Sequence, residues 1–275
     1  MKKLSFVLAA GAGAAVLLLS VQSCGILGGP PTGIQVGADA TGLRVMVVWT
    51  APAEGAPDKY LVHFRPVGDT GYQLVAETTA TSLFHDPQGA TGTYRVTARY
   101  GGDDYEAEET PTTVPVYSDT VTVAELDAPG NSGFGWSRND GTGGTYSMLD
   151  AGSADYVDFY VTDFAVGSNR LPYCVASPNR GPDDEAELVP DGTWRTNGFT
   201  DSMPSSWGED TLPAISPDIY FDYTPIDNTP YEMGFYSVAD EYYGFIRVLG
   251  VNSGTAEVTL ETWFQLVPGL RLVAH

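Results

Sequence analysis

Short runs in which apolar and polar residues alternate recur along the chain. In the segments 43–49, 60–64 and 94–98, an apolar side chain occupies every second position, and turns containing Gly or Pro separate the segments. Successive side chains of a β-strand point to opposite faces of a sheet, so this period of two indicates strands with one buried face. No long segment carries the apolar spacing of a helix without an interrupting Gly or Pro. The sequence therefore predicts an all-β protein.

The first part of the chain contains about seven short candidate strands within roughly a hundred residues, which is typical of a two-sheet sandwich. Further candidates besides the three alternating segments are 72–78, 82–85 and 117–125, the last of which closes the set. Between them, the segment 101–111 carries five carboxylates around one tyrosine. We expect this segment to be a loop, either solvated or forming an interaction tip.

Several residues of this part resemble a fibronectin type III domain. They are a Pro30-Pro31 entry, Trp49 in the second strand, and the motifs Tyr-x-Val-x-Phe at 60–64 and Tyr-x-Val-x-Ala at 94–98. The resemblance covers residues 30 to 125. It implies that Trp49 and the tyrosine of the third strand fill the space between the sheets, while the tyrosine of the sixth strand hydrogen-bonds back at a chain corner.

A turn-rich break at 128–133 separates this region from the rest of the chain. We therefore predict a fibronectin type III-like domain over 33–126 and a second β-rich domain, an antiparallel sheet or sandwich, over 127–275. Candidate strands of the second domain are 155–161, 231–237, 243–250 and 255–265, and the last two form a predicted hairpin.

The second domain resembles the HmuY-like family of bacterial surface lipoproteins, which are all-β proteins. The shared features are an Asp- and aromatic-rich strand at 154–159, a Tyr-Tyr-Gly turn leading into 245–248, and a final strand that ends in Phe264-Gln265. Some members bind haem through histidine ligands. The only histidine in this half is His275, so the resemblance implies ligand binding without haem ligation.

The N-terminus has the features of an export signal, because Lys2 and Lys3 precede an apolar stretch that ends in Val21-Gln22-Ser23-Cys24. It resembles a bacterial lipoprotein signal, in which residues 1–23 are removed and Cys24 is lipidated. Residues 24–32 would then form a tether. This resemblance implies a protein exported and lipid-anchored to the bacterial cell envelope, at the outer membrane or cell surface. The alternative is an ordinary cleaved signal with an accidental cysteine.

The strongly negative net charge of the chain argues against anionic partners such as nucleic acids. The chain has 35 Asp and Glu against 13 Lys and Arg, a net charge of −22, and loss of Lys2 and Lys3 with the signal lowers this to −24. We expect no nucleic-acid partner, because such a surface repels phosphates. A high-salt habitat, calcium binding and a plain solvated surface are three interpretations of the acidity. The oxygen-rich turns at 139–141, 150–155 and 182–185 lack EF-hand spacing, so no metal site is assigned.

Residues that commonly carry catalysis are scarce. The chain has three histidines, His63, His85 and His275, and it has no nucleophile-elbow, zinc-protease or phosphate-loop motif. Cys174 would be the single thiol after lipidation, and its apolar neighbours predict a buried structural role. Carboxylate pairs suited to glycoside hydrolysis stay open, since 35 acidic residues bring some pairs together in any fold. We expect no cofactor and no enzymatic activity.

Three tryptophans of the second domain, Trp136, Trp194 and Trp207, are the candidate ligand-binding residues. Exposed indoles stack on sugar rings or anchor a protein partner, whereas burial under long loops is the alternative. In the first domain, alternation places one group of basic side chains outward, namely His63, Arg65, Arg95 and Arg99. We expect this basic patch to pair with neighbouring carboxylates.

The leading hypothesis is a surface-attached lipoprotein that acts as a binding, adhesion or structural module of the cell envelope, with an unknown protein or glycan partner. The alternative hypothesis is an envelope carbohydrate-binding or carbohydrate-active protein.

Overall fold

The computed structural model describes residues 28–167, 169–180, 188–202 and 210–275. These residues form eighteen β-strands, two short 3-10 turns (Ala151–Ser153 and Pro178–Arg180) and no α-helix, so the predicted all-β class is confirmed. In the described part of the chain, no helix is long and apolar enough to span a membrane. The predicted signal, with Cys24, lies outside the described residues.

Seven strands form two antiparallel sheets in the N-terminal part. They are β1 (Thr32–Ala38), β2 (Val45–Thr50), β3 (Lys59–Pro66), β4 (Gln73–Thr78), β5 (Ser82–His85), β6 (Gly92–Tyr100) and β7 (Asp103–Glu106). One sheet has the order β1-β2-β5 and the other the order β4-β3-β6-β7. This first sandwich is fibronectin type III-like, as predicted.

The alternating residues build the core of the first sandwich. The ring of Trp49 meets that of Tyr60 edge to face, with centroids 5.2 Å apart and planes at 68°. The hydroxyl of Tyr94 lies 2.8 Å from Nδ1 of His85, at the end of β5. Leu43, predicted to face inward with β2, precedes the strand and is 36% exposed. The alternation of buried and exposed side chains therefore begins at Val45, where β2 begins, and not at Leu43.

Two sequence predictions at the end of this region are wrong. The segment predicted as a loop contains β7, which pairs with β6, and its carboxylates neutralise arginines of β6: Asp104 accepts from Arg99 at 2.6 Å and Glu106 from Arg95 at 3.2 Å. The predicted closing strand, β8 (Val116–Ala124), pairs instead with a strand near the C-terminus. The seventh strand of the first sandwich is therefore β7.

The second sandwich consists of a six-stranded and a five-stranded sheet. Its remaining strands are β9 (Gly133–Trp136), β10 (Gly143–Tyr146), β11 (Phe159–Thr162), β12 (Cys174–Ala176), β13 (Asn197–Thr200), β14 (Tyr220–Phe221), β15 (Tyr223–Pro225), β16 (Tyr231–Ser237), β17 (Tyr243–Asn252) and β18 (Glu257–Phe264). The sheet orders are β14-β13-β16-β17-β18-β8 and β10-β9-β11-β12-β15. The predicted β17–β18 hairpin is confirmed, whereas the strand predicted at 155–161 begins only at Phe159.

The segment 265–275 joins the two sandwiches. Three of its side chains are buried in the core of the first sandwich: Val267, Leu270 and Leu272. The hydroxyl of Thr91 donates to the carbonyl of Ala274 at 2.6 Å, across 183 residues of sequence. The side-chain amide of Gln265 donates to the carbonyl of Thr113 at 2.8 Å. The core of the first sandwich is therefore completed by residues from the far end of the described chain.

Candidate functional site

Four chain segments, distant in sequence, enclose a cleft of about 280 Å³ between the two sandwiches. They are the β1–β2 turn at 39–42, the segment 214–215, the end of β16 with the turn into β17, and the segment 269–271. The backbone N–H of Arg271 donates to the carbonyl of Gly42 at 2.9 Å, and that of Gly269 donates to the carbonyl of Glu241 at 2.8 Å. We refer to this site as the inter-sandwich cleft.

The β1–β2 turn is fixed by Asp39, whose Oδ1 accepts from the Thr41 hydroxyl at 2.7 Å and from nearby backbone N–H groups. Burial acts to raise the pKa of Asp39, but the hydrogen bonds from Thr41 and the backbone outweigh it and the pKa is lowered. The carboxylate is therefore ionised at neutral pH, and it can accept hydrogen bonds but not supply a proton.

Gly42 makes the close approach at this turn possible. Its φ is +69°, and a Cβ there would lie 2.4 Å from the carbonyl oxygen of Gly269 and 2.8 Å from Cγ of Arg271. A side chain at position 42 would therefore displace both the backbone and the aliphatic stem of Arg271.

Tyr236 and Tyr243 supply the aromatic wall of the cleft. Their ring centroids are 4.9 Å apart, the rings are 6% and 4% exposed, and neither hydroxyl makes a hydrogen bond to any described residue. Burial, assisted by the Glu241 carboxylate, raises the pKa of both, that of Tyr243 to about 12. Both hydroxyls are therefore neutral at physiological pH and can donate or accept a hydrogen bond.

Arg271 is the one cation among the described residues that line the cleft. Within the described part of the chain, its guanidinium makes no hydrogen bond, ion pair or ring contact, and its Nε is buried without a partner. Several other described arginines have carboxylate partners, for example Arg99 with Asp104 and Arg247 with Glu232. The cleft thus presents one unpaired guanidinium, the carboxylates of Asp39 and Glu241, and two free hydroxyls.

Two of the three tryptophans predicted from the sequence, Trp136 and Trp194, belong to different hydrophobic clusters and do not form a common site. Trp136 is 2% exposed, its indole N–H donates to Thr262 at 2.9 Å, and its ring stacks on Phe264 at 5.1 Å. It is a core residue with no ring face open to a ligand, so the stacking hypothesis fails for it. Trp194 is half-buried and donates to the carbonyl of Pro190 at 3.1 Å. Trp207 lies outside the described residues.

A buried ionic cluster lies beside Trp136. The fully buried Asp158 accepts two hydrogen bonds from Arg138, at 2.8 and 2.9 Å, one from Arg195 at 2.9 Å and one from the Trp136 backbone at 2.8 Å. Arg138 also pairs with Asp240 at 3.0 Å. Each of these charged groups has an oppositely charged partner within the cluster. The cluster therefore has a structural role and offers no free group to a ligand.

The other candidate residues have structural surroundings. Two members of the basic patch, Arg95 and Arg99, pair with carboxylates of β7, as predicted. Arg65 instead lies over the ring of Tyr72, and Nδ1 of His63 is buried without a hydrogen-bond partner among the described residues. Cys174 is buried. Asp140 and Asp150 accept hydrogen bonds from their own turns, and the described residues hold no group of three or more His, Cys, Asp or Glu placed for a metal. Residues 181–187, which include the whole acidic turn at 182–185, lie outside the described residues.

Two larger depressions adjoin each other at the opposite end of β16 and share Asp227 and Asn228. One, of about 440 Å³, is lined by acidic residues that include Asp201 and Glu232, and the other, of about 390 Å³, has a mixed lining of apolar residues such as Leu171 and polar residues such as Asn228. Neither is lined by a cation or by an unsatisfied buried group in the described residues. The inter-sandwich cleft is therefore the better candidate site.

No protein-family model and no curated protein matches the sequence. Among solved structures, a DUF4466 family protein from Parabacteroides merdae aligns over 86% of this chain and 99% of its own, at 10% identity and a TM-score of 0.42. Titin kinase with its flanking domains aligns over 86% and 37%, at 10% identity and 0.28. A two-domain fibronectin type III segment of chicken tenascin aligns over 80% and 91%, at 13% identity and 0.24. We assign no family or activity from similarities of this size.

Proposed function

We propose that this protein is a lipid-anchored, non-enzymatic binding module of the bacterial cell envelope, and that the inter-sandwich cleft holds its ligand. The main support is the unpaired guanidinium of Arg271 beside the free hydroxyls of Tyr236 and Tyr243. Partly buried polar groups without partners cost free energy, and a ligand that supplies those partners recovers it.

The chemistry of the cleft favours binding over catalysis. A general acid needs a carboxyl whose pKa is raised towards neutrality, whereas the pKa of Asp39 is lowered. The raised pKa values of Tyr236 and Tyr243 keep their hydroxyls from acting as bases near neutral pH. Within the part of the chain that the structure describes, no histidine lines the cleft.

Lipid anchoring at Cys24 is compatible with an accessible cleft. The predicted tether leads into the start of β1, whereas the cleft lies after the end of β1. Seven residues at ~3.3 Å each place the two ends of the strand roughly 20 Å apart. The ligand would then bind at a distance from the lipid surface.

Thermal-shift titrations of the full chain carrying Cys24→Ala test the site. The probes are the common amino acids together with neutral and acidic mono- and disaccharides. We expect at least one probe to raise the Tm, because a ligand of the native state stabilises it. The double variant Tyr236→Phe/Tyr243→Phe should lose this shift, while Tyr156→Phe, a 56% exposed tyrosine outside the cleft, should keep it.

A shift that survives the double variant, or no shift with any probe, would contradict a ligand site in the cleft. A saccharide hit supports the glycan-binding alternative in the same cleft, since carboxylates and tyrosine hydroxyls also accept hydrogen bonds from sugar hydroxyls. Release of reducing sugar by the protein would contradict a non-enzymatic role.

The anchor is tested by Cys24→Ala in a bacterial host that processes lipoproteins. We expect loss of acyl labelling and release from the membrane fraction, because the proposed lipid is the membrane attachment. The matched control is Cys174→Ala, which removes the other thiol. Membrane retention of the Cys24 variant without acylation would contradict the lipoprotein hypothesis.

A further inference from the structure

The charges that line the inter-sandwich cleft have both signs. Arg271 contributes one positive charge, and Asp39 and Glu241 contribute two negative charges. The lowered pKa of Asp39 keeps that carboxylate ionised, and Glu241 is exposed at the turn into β17. An anionic ligand would pair with Arg271 but would be repelled by the two carboxylates, and a cationic ligand would pair with the carboxylates but would be repelled by Arg271.

We infer that the ligand of the inter-sandwich cleft is a small zwitterion of α-amino acid size. Its carboxylate pairs with the guanidinium of Arg271, and its ammonium group donates to the carboxylates of Asp39 and Glu241. The inference rests on the proposed function, because it names the ligand class of the same cleft.

A planar guanidinium and a carboxylate match in geometry and form two parallel hydrogen bonds. Arg271 is free to make them, because none of its side-chain donors is used by a described residue. Its aliphatic stem lies beside Gly42, where an added Cβ would be 2.8 Å from Cγ of Arg271. The guanidinium therefore enters the complex without first breaking an ion pair within the protein.

Net charge distinguishes a zwitterion from an acid. The whole chain carries −22, so its field repels a free anion over distances of the Debye length, ~10 Å at 0.1 M salt. A zwitterion carries no net charge and does not experience this repulsion. Its ammonium group also compensates the carboxylates that would otherwise oppose the ligand's own carboxylate.

The size and walls of the cleft indicate the rest of the ligand. A volume of about 280 Å³ lies just below the ~300–1,000 Å³ range of drug-sized pockets and suits a compact molecule. Apolar atoms come from Ala40, Ala214 and Ile215, the last being 52% exposed. An aliphatic side chain on the ligand would cover Ile215, so leucine is a suitable probe.

Isothermal titration calorimetry of the full chain with Cys24→Ala tests the inference with three matched probes. Leucine has both charged groups, 4-methylpentanoate lacks the ammonium group, and 3-methylbutylamine lacks the carboxylate. We expect leucine to bind roughly 10- to 100-fold more tightly than either analogue, since each removes a charge-assisted hydrogen-bonded group.

Arg271→Gln should weaken leucine binding by roughly 10-fold or more. Arg65→Gln is the control, because it removes the same charge from an arginine that lies over Tyr72, away from the cleft. In the absence of leucine, Arg271→Gln should not lower the Tm, because the guanidinium has no described partner to lose. This readout separates a binding role from a structural one.

Equal affinity for leucine and either analogue, or unchanged affinity in Arg271→Gln, would overturn the zwitterion inference. If a saccharide binds in place of leucine and the Tyr236→Phe/Tyr243→Phe variant abolishes that binding, the inference fails while the proposed ligand cleft stands. If no amino acid and no saccharide binds, both fail.

Discussion

Asp158 and Arg271 represent two ways in which this chain holds a charged group that is fully or partly buried. The carboxylate of Asp158 is fully buried and is met by two guanidinium groups and a backbone N–H. The guanidinium of Arg271 has no partner among the described residues. The charge of Asp158 is therefore paired within the protein, whereas the charge of Arg271 would be paired only by a bound ligand. A substitution should therefore affect stability at Asp158 and binding at Arg271.

Asp158→Asn should destabilise the second sandwich by about 3–5 kcal/mol, because it leaves Arg138 and Arg195 partly buried without their shared counter-charge. Urea unfolding measures the change. The control is Asp104→Asn, which breaks the solvent-exposed pair with Arg99 and should change stability little. Equal effects of the two substitutions would contradict the role assigned to the buried cluster.

His85 should make the first sandwich less stable in mild acid. Burial lowers the pKa of His85 below its ordinary value of 6.5, although Asp86 acts weakly in the opposite direction. As the pH falls, the unfolded chain therefore takes up a proton on His85 before the folded chain does. The contribution of the neutral His85 to the free energy of unfolding is present in full above pH 6.5, and it is lost as the pH falls towards the pKa of the folded state.

The test compares the wild-type chain with His85→Gln by urea unfolding at about pH 7.5 and about pH 5. The wild type should lose more stability than the variant between the two values, because only the wild type has this imidazole. The same loss in both chains would show that His85 does not contribute to the pH dependence.

At the scale of secondary structure, the alternating pattern predicts where strands lie in the sequence better than it predicts which strands pair with each other. The strands β2, β3 and β6 follow directly from their buried alternate positions. The strand β7 was missed because three of its four residues are exposed and it has no apolar face. The strand β8 is visible in the sequence, but its partner β18 lies more than a hundred residues later, and a period of two carries no information about that pairing.

The inter-sandwich cleft could not be predicted in the same way. Asp39, Glu241 and Arg271 come from a turn, another turn and an irregular segment, and no motif of fixed spacing links them. Trp136 gave a false signal, because its surroundings in sequence are polar while its surroundings in space are aromatic. A local pattern reports which side chains are apolar, but it does not report which distant segment covers them.

The segment 265–275 should stabilise the first sandwich, although it follows the last strand of the second sandwich in the sequence. Leu272→Ala removes a fully buried side chain from the core of the first sandwich and should cost about 2–5 kcal/mol. Hydrogen exchange should show lower protection in β2 and β6. The control is Leu249→Ala, at a 39% exposed position of β17. Loss of protection confined to the second sandwich would contradict this role.

At the scale of the whole molecule, the charge of −22 should oppose compactness at low ionic strength. The Debye length falls from ~30 Å at 0.01 M to ~3 Å at 1 M salt, so added sodium chloride should raise the Tm. Calcium at matched ionic strength should add nothing further, because the described residues hold no metal-ligating cluster. Melting curves in the two salts measure both effects.

A Tm that does not change with sodium chloride would contradict the argument from repulsion. A rise specific to calcium would reveal a site formed with the help of residues outside the described ranges.

The contact between Thr91 and Ala274 has a consequence for the order of events during biosynthesis. The two residues are 183 positions apart, and ribosomes add about 5–20 residues per second. The last strand of the first sandwich ends at Glu106, so the sandwich waits roughly 8–34 s after its own strands are made before the residues that complete its core exist. During that interval its apolar interior is open at one place. A chain that is exported while it is being made would cross the membrane in this unfinished form, and its folding would end only on the far side.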